Sequence, residues 1–248
     1  MNRVALDAKL LFSIHYYIIK GRKMKKLLLS SALIFMASAQ AMASDGSVSG
    51  NIAFTTDYVF RGFSQTDENP ALQGGFDYED ASGLHAGVWA SNIDFNNTAD
   101  GSLELDIYGG YQGEFEGVSY DVGGIYYAYP GSENNLNYDF WEAYVSGSYD
   151  FDGFSVNAGV NYSPEFFGDA GDAFYYYGGI DVALPYEVTL SAHYGHQDID
   201  ESADYNDWSV GVSRNWLEFD WSATYTEADV DNDDNADGRV VFSVGKSF

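Results

Sequence analysis

The sequence predicts an all-β fold, a transmembrane antiparallel up-and-down β-barrel of twelve strands, and three observations predict it. Segments of roughly ten residues alternate between apolar and polar side chains. The connections between them are alternately tight and long. Many apolar faces carry Tyr, Trp or Phe near their ends. A β-strand points successive side chains to opposite faces, so strict alternation gives one apolar and one polar surface. Composition agrees: 27 Gly, 21 Tyr and 17 Phe accompany only 4 Pro in 248 residues. Aromatics at 17% exclude a disordered chain. A mean hydropathy of -0.25 excludes a bundle of transmembrane helices. With no cysteine, disulfide scaffolds, thiol catalysis and Cys-ligated metals are excluded too.

The first element is a leader. Met24-Lys25-Lys26 opens a basic region, Leu27 to Met36 is a short apolar core, and Ala41-Met42-Ala43 supplies the small residues a signal peptidase reads. Residues 24–43 therefore read as a secretory signal peptide, 1–23 as an upstream start called too early, and 44–248 as the barrel. Seven of the eleven basic residues precede position 27, so residues 44–248 hold four basic against 37 acidic residues, a formal charge of -33. Such a surface repels phosphates and excludes a nucleic-acid partner; it attracts cations.

Twelve strands are expected near 47–64, 70–80, 84–95, 102–116, 118–129, 138–151, 154–165, 173–184, 187–197, 205–216, 219–228 and 238–248. The pattern is plainest at 103–115. Leu103, Leu105, Ile107 and Tyr111 share one face there, and Glu104, Asp106, Tyr108 and Gln112 the other. Short connections such as Glu116-Gly117 and Asp152-Gly153 alternate with longer polar ones such as Pro130 to Asn137 and Asp229 to Asp237. The first of the long set, Gln65 to Asn69, is expected to be only moderately long.

A soluble barrel or sandwich would turn the apolar faces inward; an outer-membrane barrel turns them toward lipid and lines its lumen with the polar ones. Strand length and aromatic ends favour the membrane. So does Phe248, an aromatic ending a last strand whose apolar face holds Val240, Phe242 and Val244, interrupted by Lys246. Such an ending resembles the signal read by the barrel-assembly machinery, an expected partner beside outer-membrane lipid and lipopolysaccharide.

The first hairpin resembles a known family. Asp57-Tyr58-Val59-Phe60-Arg61-Gly62-Phe63-Ser64-Gln65 followed by Pro70-Ala71-Leu72-Gln73-Gly74 is similar to the TorF family of porins, a proteobacterial outer-membrane family of unknown function. Gly87-Val88-Trp89-Ala90-Ser91-Asn92 and Lys246-Ser247-Phe248 are similar to it as well. The resemblance implies an outer-membrane channel and specifies no substrate.

The alternation places Asp57, Arg61, Asp77, Glu79, Glu104, Asp106, Asp121, Glu142 and Asp181 inward, as candidate pore-lining residues. Acidic rings favour passage of cations. Arg61, four residues from Asp57 on one strand face, is expected to pair with it. Asp229, Asp231, Asp233, Asp234 and Asp237 have the D-x-D-x-D spacing of calcium loops, but Asp234 stands where an EF-hand requires Gly and no Glu closes the pattern. They read as a disordered acidic loop, one that divalent cations could bridge to lipopolysaccharide. His193 and His196 lie near Asp198 and Asp200, yet their spacing puts them on opposite faces and no nucleophile motif accompanies them. No cofactor, metal site or enzymatic activity is expected. Tyr126-Tyr127 and Tyr175-Tyr176-Tyr177 read as wall and girdle rather than a sugar slide. The expected function is passive diffusion of small solutes, cations preferred, across the outer membrane. The alternatives are a non-conducting structural, adhesive or ligand-binding barrel and, third, an outer-membrane hydrolase.

Overall fold

The computed structural model describes residues 46–96, 101–133 and 135–248. The expected upstream start, 1–23, and the expected leader, 24–43, lie outside them. Among the described residues fourteen strands occur in chain order: β1 Ser47–Thr55, β2 Val59–Phe60, β3 Phe63–Ser64, β4 Ala71–Glu79, β5 Leu84–Asn92, β6 Leu103–Phe115 and β7 Val118–Ala128. Then come β8 Phe140–Asp150, β9 Phe154–Ser163, β10 Ala173–Leu184, β11 Val188–Ile199, β12 Tyr205–Trp216, β13 Phe219–Ala228 and β14 Arg239–Ser247. Twelve of them, all but β2 and β3, close into one antiparallel barrel in which each strand pairs with its neighbours in sequence. Closure runs through β1, which pairs with β4 along its whole length and with β14 from Asn51↔Ser247 to Thr55↔Ser243. A closed sheet leaves no unpaired edge.

The apolar faces point outward. Leu72, Phe76, Val88, Ile107, Val122, Val145, Val210, Val212 and Phe242 are all exposed. An apolar exterior around a polar interior is the surface of a membrane-spanning barrel. Exposed aromatics gather at both ends. Phe115, Tyr149, Phe151 and Trp216 mark the tight-turn end, and Trp141, Tyr176, Tyr194 and Trp208 the loop end. Among the described residues no helix is long and apolar enough to cross a membrane. The tight turns need positive φ, as at Glu116 and Gly117 or Leu217 and Glu218. At the seam the Phe248 ring lies over Gly50, where a Cβ would come within 2.8 Å of it, and the two residues exchange backbone hydrogen bonds of 2.9 Å.

One expectation fails at the first strand. The wall strand stops at Thr55 instead of running to 64, and the chain turns into the lumen before rejoining the wall at Ala71. The inserted segment carries the β2–β3 hairpin, with Phe60 opposite Phe63 across Arg61 and Gly62. Both turn residues have positive φ, 47° and 85°. That is the requirement of a two-residue type I′ turn, and glycine meets it without a Cβ penalty. Hence the first long connection, expected to be moderate, begins at Thr56 and fills space inside the barrel.

Candidate functional site in the barrel lumen

The hairpin is tied to the wall on several sides, and each tie comes from a residue type suited to a buried polar site. Asp57 is the local hub. Its Oδ1 accepts from Ser64 Oγ at 2.7 Å and Thr66 Oγ1 at 2.9 Å, and its Oδ2 from Arg239 at 3.2 Å. These hydroxyl bonds hold the segment in its turned conformation, as short polar side chains do in loops. Thr66 is wholly inaccessible to solvent and also receives the Tyr58 amide. Ser64 N–H donates to the Asn235 carbonyl and Asp94 N–H to Gln65, so two further loops are laced to the insert.

Arg61, at the hairpin tip, is 5% exposed. Its guanidinium donates to Glu142 of β8 at 2.6 Å and to Gln197 of β11 at 2.7 Å. It also lies over the Tyr175 ring at 4.2 Å and beside Phe60 at 4.7 Å. Glu142 accepts in addition from Asn161 at 2.8 Å and Tyr127 at 3.3 Å. A fork of donors spread over several acceptors is what arginine offers and lysine does not. The pairing expected between Arg61 and Asp57 is therefore corrected. With the strand ended at Thr55 the two no longer share a face, and each takes a partner from the wall: Glu142 for Arg61, Arg239 for Asp57. On the other side Gly62 touches β12 and β13 so closely that a Cβ would meet Ala228 at 2.7 Å and Asp207 at 2.9 Å.

Aromatic packing fills the lumen between hairpin and β5–β8. Tyr58 meets Trp89 edge-on at 5.3 Å, Phe60 meets Tyr127 at 5.8 Å, and Tyr127 stacks on Phe140 at 4.3 Å. Contacts of this kind contribute about 0.5–1.5 kcal/mol each beyond burial. Next to them lie Glu104, 1% exposed, and Asp106, fully buried. Tyr58 donates to Glu104 Oε1 at 3.0 Å. Glu104 Oε2 and both Asp106 oxygens face each other's carboxyl groups and receive no hydrogen bond from any other described residue.

The other inward acids sit toward the turn end. Asp77 accepts from Tyr108 and Asn51. Asp121 contacts His85 at 3.0 Å and Tyr144 at 3.4 Å, and Asp181 accepts from Ser191 at 2.6 Å. Glu79 is exposed at the rim. The structure thus gathers Arg61, Glu142, Glu104 and Asp106 around the hairpin, puts Asp57 at its base, and spreads the remainder down the wall. Two spaces adjoin these groups. One, of about 230 Å³, lies beside the hairpin against the hydroxyls of Ser222, Thr224 and Ser243. The other, of about 480 Å³, lies toward the turn end and is lined by Asp121, Asp181 and Tyr177.

Several residues here were not singled out by sequence. Gln197, Asn161, Asp207 and Arg239 alternate inward like any polar wall residue, and only pairing across the lumen distinguishes them. Tyr58, Tyr127 and Tyr175 turn out to be interior, while Tyr126 and Tyr176 face out, as their alternation requires. His193 faces in, bound to Asp207 at 3.1 Å and Tyr175 at 2.8 Å, whereas His196 bonds Asn206 at 3.0 Å. The acidic loop, expected to be disordered, is a folded turn. Asp229 accepts from Asn206, Ala236 N–H donates to Asp233, and Ala236 is fully buried. Among the described residues no three His, Asp or Glu side chains converge as a metal-ligand set.

A closed twelve-stranded barrel with an apolar exterior and a polar lumen narrowed by an inserted hairpin defines a porin-like protein. The solved structures it resembles agree. It is similar to the KdgM porin, at a TM-score of 0.57 and 11% identity over 81% of this chain and 98% of that one. It is likewise similar to the NanC porin, at 0.52 and 9% over 80% and 98%. The KdgM porin is also known in complex with disordered oligogalacturonate (TM-score 0.56, 12% identity, 81% and 98% covered). By sequence the chain belongs to the family described as bacterial protein of unknown function, Gcw_chp, whose model matches residues 39–248. The TorF name suggested by the first hairpin is not part of that match. No curated protein matches the chain.

Proposed function

We propose that the barrel is an outer-membrane channel for passive diffusion of small solutes, that it favours cations, and that the β2–β3 hairpin is its constriction. The charge balance of the lumen carries this reading. Asp57, Asp77, Glu104, Asp106, Asp121, Glu142, Asp181 and Asp207 project from hairpin and wall, against the guanidinium groups of Arg61 and Arg239 alone. Both arginines are already engaged by carboxylates. Acidic linings of this kind raise the local concentration of cations and repel anions. The nine residues Asp57, Arg61, Asp77, Glu79, Glu104, Asp106, Asp121, Glu142 and Asp181 are the proposed pore lining. The oligogalacturonate held by the KdgM porin is a polyanion, and this lumen is the wrong sign for one. Export by the 24–43 leader of a Gram-negative bacterium, insertion through the assembly machinery reading Phe248, and contact with lipid and lipopolysaccharide belong to the same reading, and no catalysis does.

The test is reversal potential in planar bilayers under a KCl gradient. K⁺ preference at low salt is expected, weakening toward about 1 M where the Debye length falls to roughly 3 Å. Anion selectivity overturns the reading. A second reading, a non-conducting barrel, is favoured by one observation: the inserted segment is packed tightly enough that Thr66, just after the hairpin, is inaccessible. Absence of any conductance in the same experiment selects it.

A further inference from the structure

Of the four basic residues in 44–248, Arg61 and Arg239 are consumed inside the barrel. The other two, Arg214 on β12 and Lys246 on β14, lie outside it near the tight-turn end, with β13 between them. Arg214 of β12 is opposite Trp221 of β13, and Trp216 is opposite Phe219. Trp221 is in turn opposite Val244 of β14, two residues before Lys246. Two adjacent outward rows therefore read Arg214–Trp221–Val244 and Trp216–Phe219–Lys246. The indoles of Trp216 and Trp221 stand 6.3 Å apart, 53% and 45% exposed. Lys246 pairs with Glu218 at 3.0 Å and lies 5.4 Å from the Phe219 ring centre. Arg214 is exposed and makes no hydrogen bond or ion pair with any described residue.

In a chain this acidic, an exposed arginine without a carboxylate, set among valine and tryptophan, calls for an external anion. Its neighbours across the sheet are Val188 and Trp221. It sits three residues before the turn at Leu217, so about 10 Å at most separates it from the rim. That is the depth of headgroups rather than of acyl chains, and the exposed indoles of Trp216 and Trp221 mark it. We propose that Arg214, with Lys246 across β13 and the two tryptophans as walls, binds the phosphate headgroup of an anionic phospholipid in the leaflet at the turn end. Guanidinium suits a phosphate diester through paired N–H donors. Glu218 opposes it by holding Lys246, so Arg214 is the principal contact. The inference rests on the membrane location proposed above.

The experiment reconstitutes the whole barrel in nanodiscs of phosphatidylcholine doped with phosphatidylglycerol and counts retained lipids by native mass spectrometry. Wild type should retain phosphatidylglycerol in preference to phosphatidylcholine, with excess inorganic phosphate failing to displace it. Arg214→Gln should lower that preference about fivefold, the effect of one basic residue at a membrane surface. Glu218→Gln, which frees Lys246, should raise it. Heat-modifiable mobility on gels verifies that each variant is folded. Equal retention by wild type and Arg214→Gln, or equal retention of the two lipids by wild type, overturns the site while leaving the membrane barrel standing. A folded barrel that enters no nanodisc overturns the membrane reading and the site together.

Discussion

Truncating Arg61 to Ala removes the residue that holds the hairpin tip against two walls. The side chain is buried, and its guanidinium bonds Glu142 at 2.6 Å and Gln197 at 2.7 Å. After truncation Glu142 keeps only Asn161 and Tyr127 as donors. Breaking a buried ion pair by deleting one partner costs about 3–5 kcal/mol, because the remaining charge stays desolvated. At about 1.4 kcal/mol per decade, this shifts the docking equilibrium of the hairpin by a hundredfold to a few thousandfold. The twelve wall strands do not pass through Arg61, so the barrel itself should persist. The assay is single-channel recording: Arg61→Ala should show larger unitary conductance and more open-channel noise than wild type. Adding Glu142→Gln should restore part of the quiet state, since no unpaired charge is then left behind. Arg61→Lys should fall between, keeping the charge but losing the fork that reaches two partners. Conductance and noise in Arg61→Ala identical to wild type would refute the idea that this pair fastens the constriction.

Replacing Glu104 with Gln and Asp106 with Asn should lower the K⁺-over-Cl⁻ reversal potential, and an unchanged potential removes these two acids from the selectivity argument. Asp229 lies in a loop, where hydrogen bonds from the Asn206 backbone and side chain lower its pKa below the usual carboxylate value. Its contribution is thus present above the ordinary Asp range and lost as pH falls through the lowered folded value. The protection factor of the Asn206 amide should fall there, and Asp229→Asn should abolish that pH dependence. A cysteine at Asp231 should react with impermeant maleimide on intact cells and one at Asp152 should not; the opposite result inverts the barrel. Deleting Phe248 should reduce the yield of heat-modifiable barrel while leaving export intact, because the residue closes the β1–β14 seam through Gly50. N-terminal sequencing of outer-membrane protein should begin at Ser44.

Sequence alone determined the wall. Eleven of the twelve expected strands match the observed ones within a few residues at either end, because alternation is a local property: each side chain's face depends only on the parity of its position. Alternation also put Glu104 and Asp106 on the polar face, while the outward direction of the apolar face was legible from strand length, aromatic strand ends and Phe248. The inserted hairpin was not read, although Phe60-Arg61-Gly62-Phe63 carries a glycine suited to a tight turn. Continuing alternation from Thr55 to Ser64 resembles a longer strand, and nothing local says that the lumen has room for the chain. What ends the strand is the set of distant partners, Glu142 81 residues away and Arg239 182 residues away, that accept the turned conformation. The same limit applies to the acidic loop, whose order depends on Asn206 and on backbone contact with Ser64 rather than on its own composition. Pairing across a lumen joins residues from strands far apart in sequence, and only the closed tertiary structure specifies which inward side chains meet.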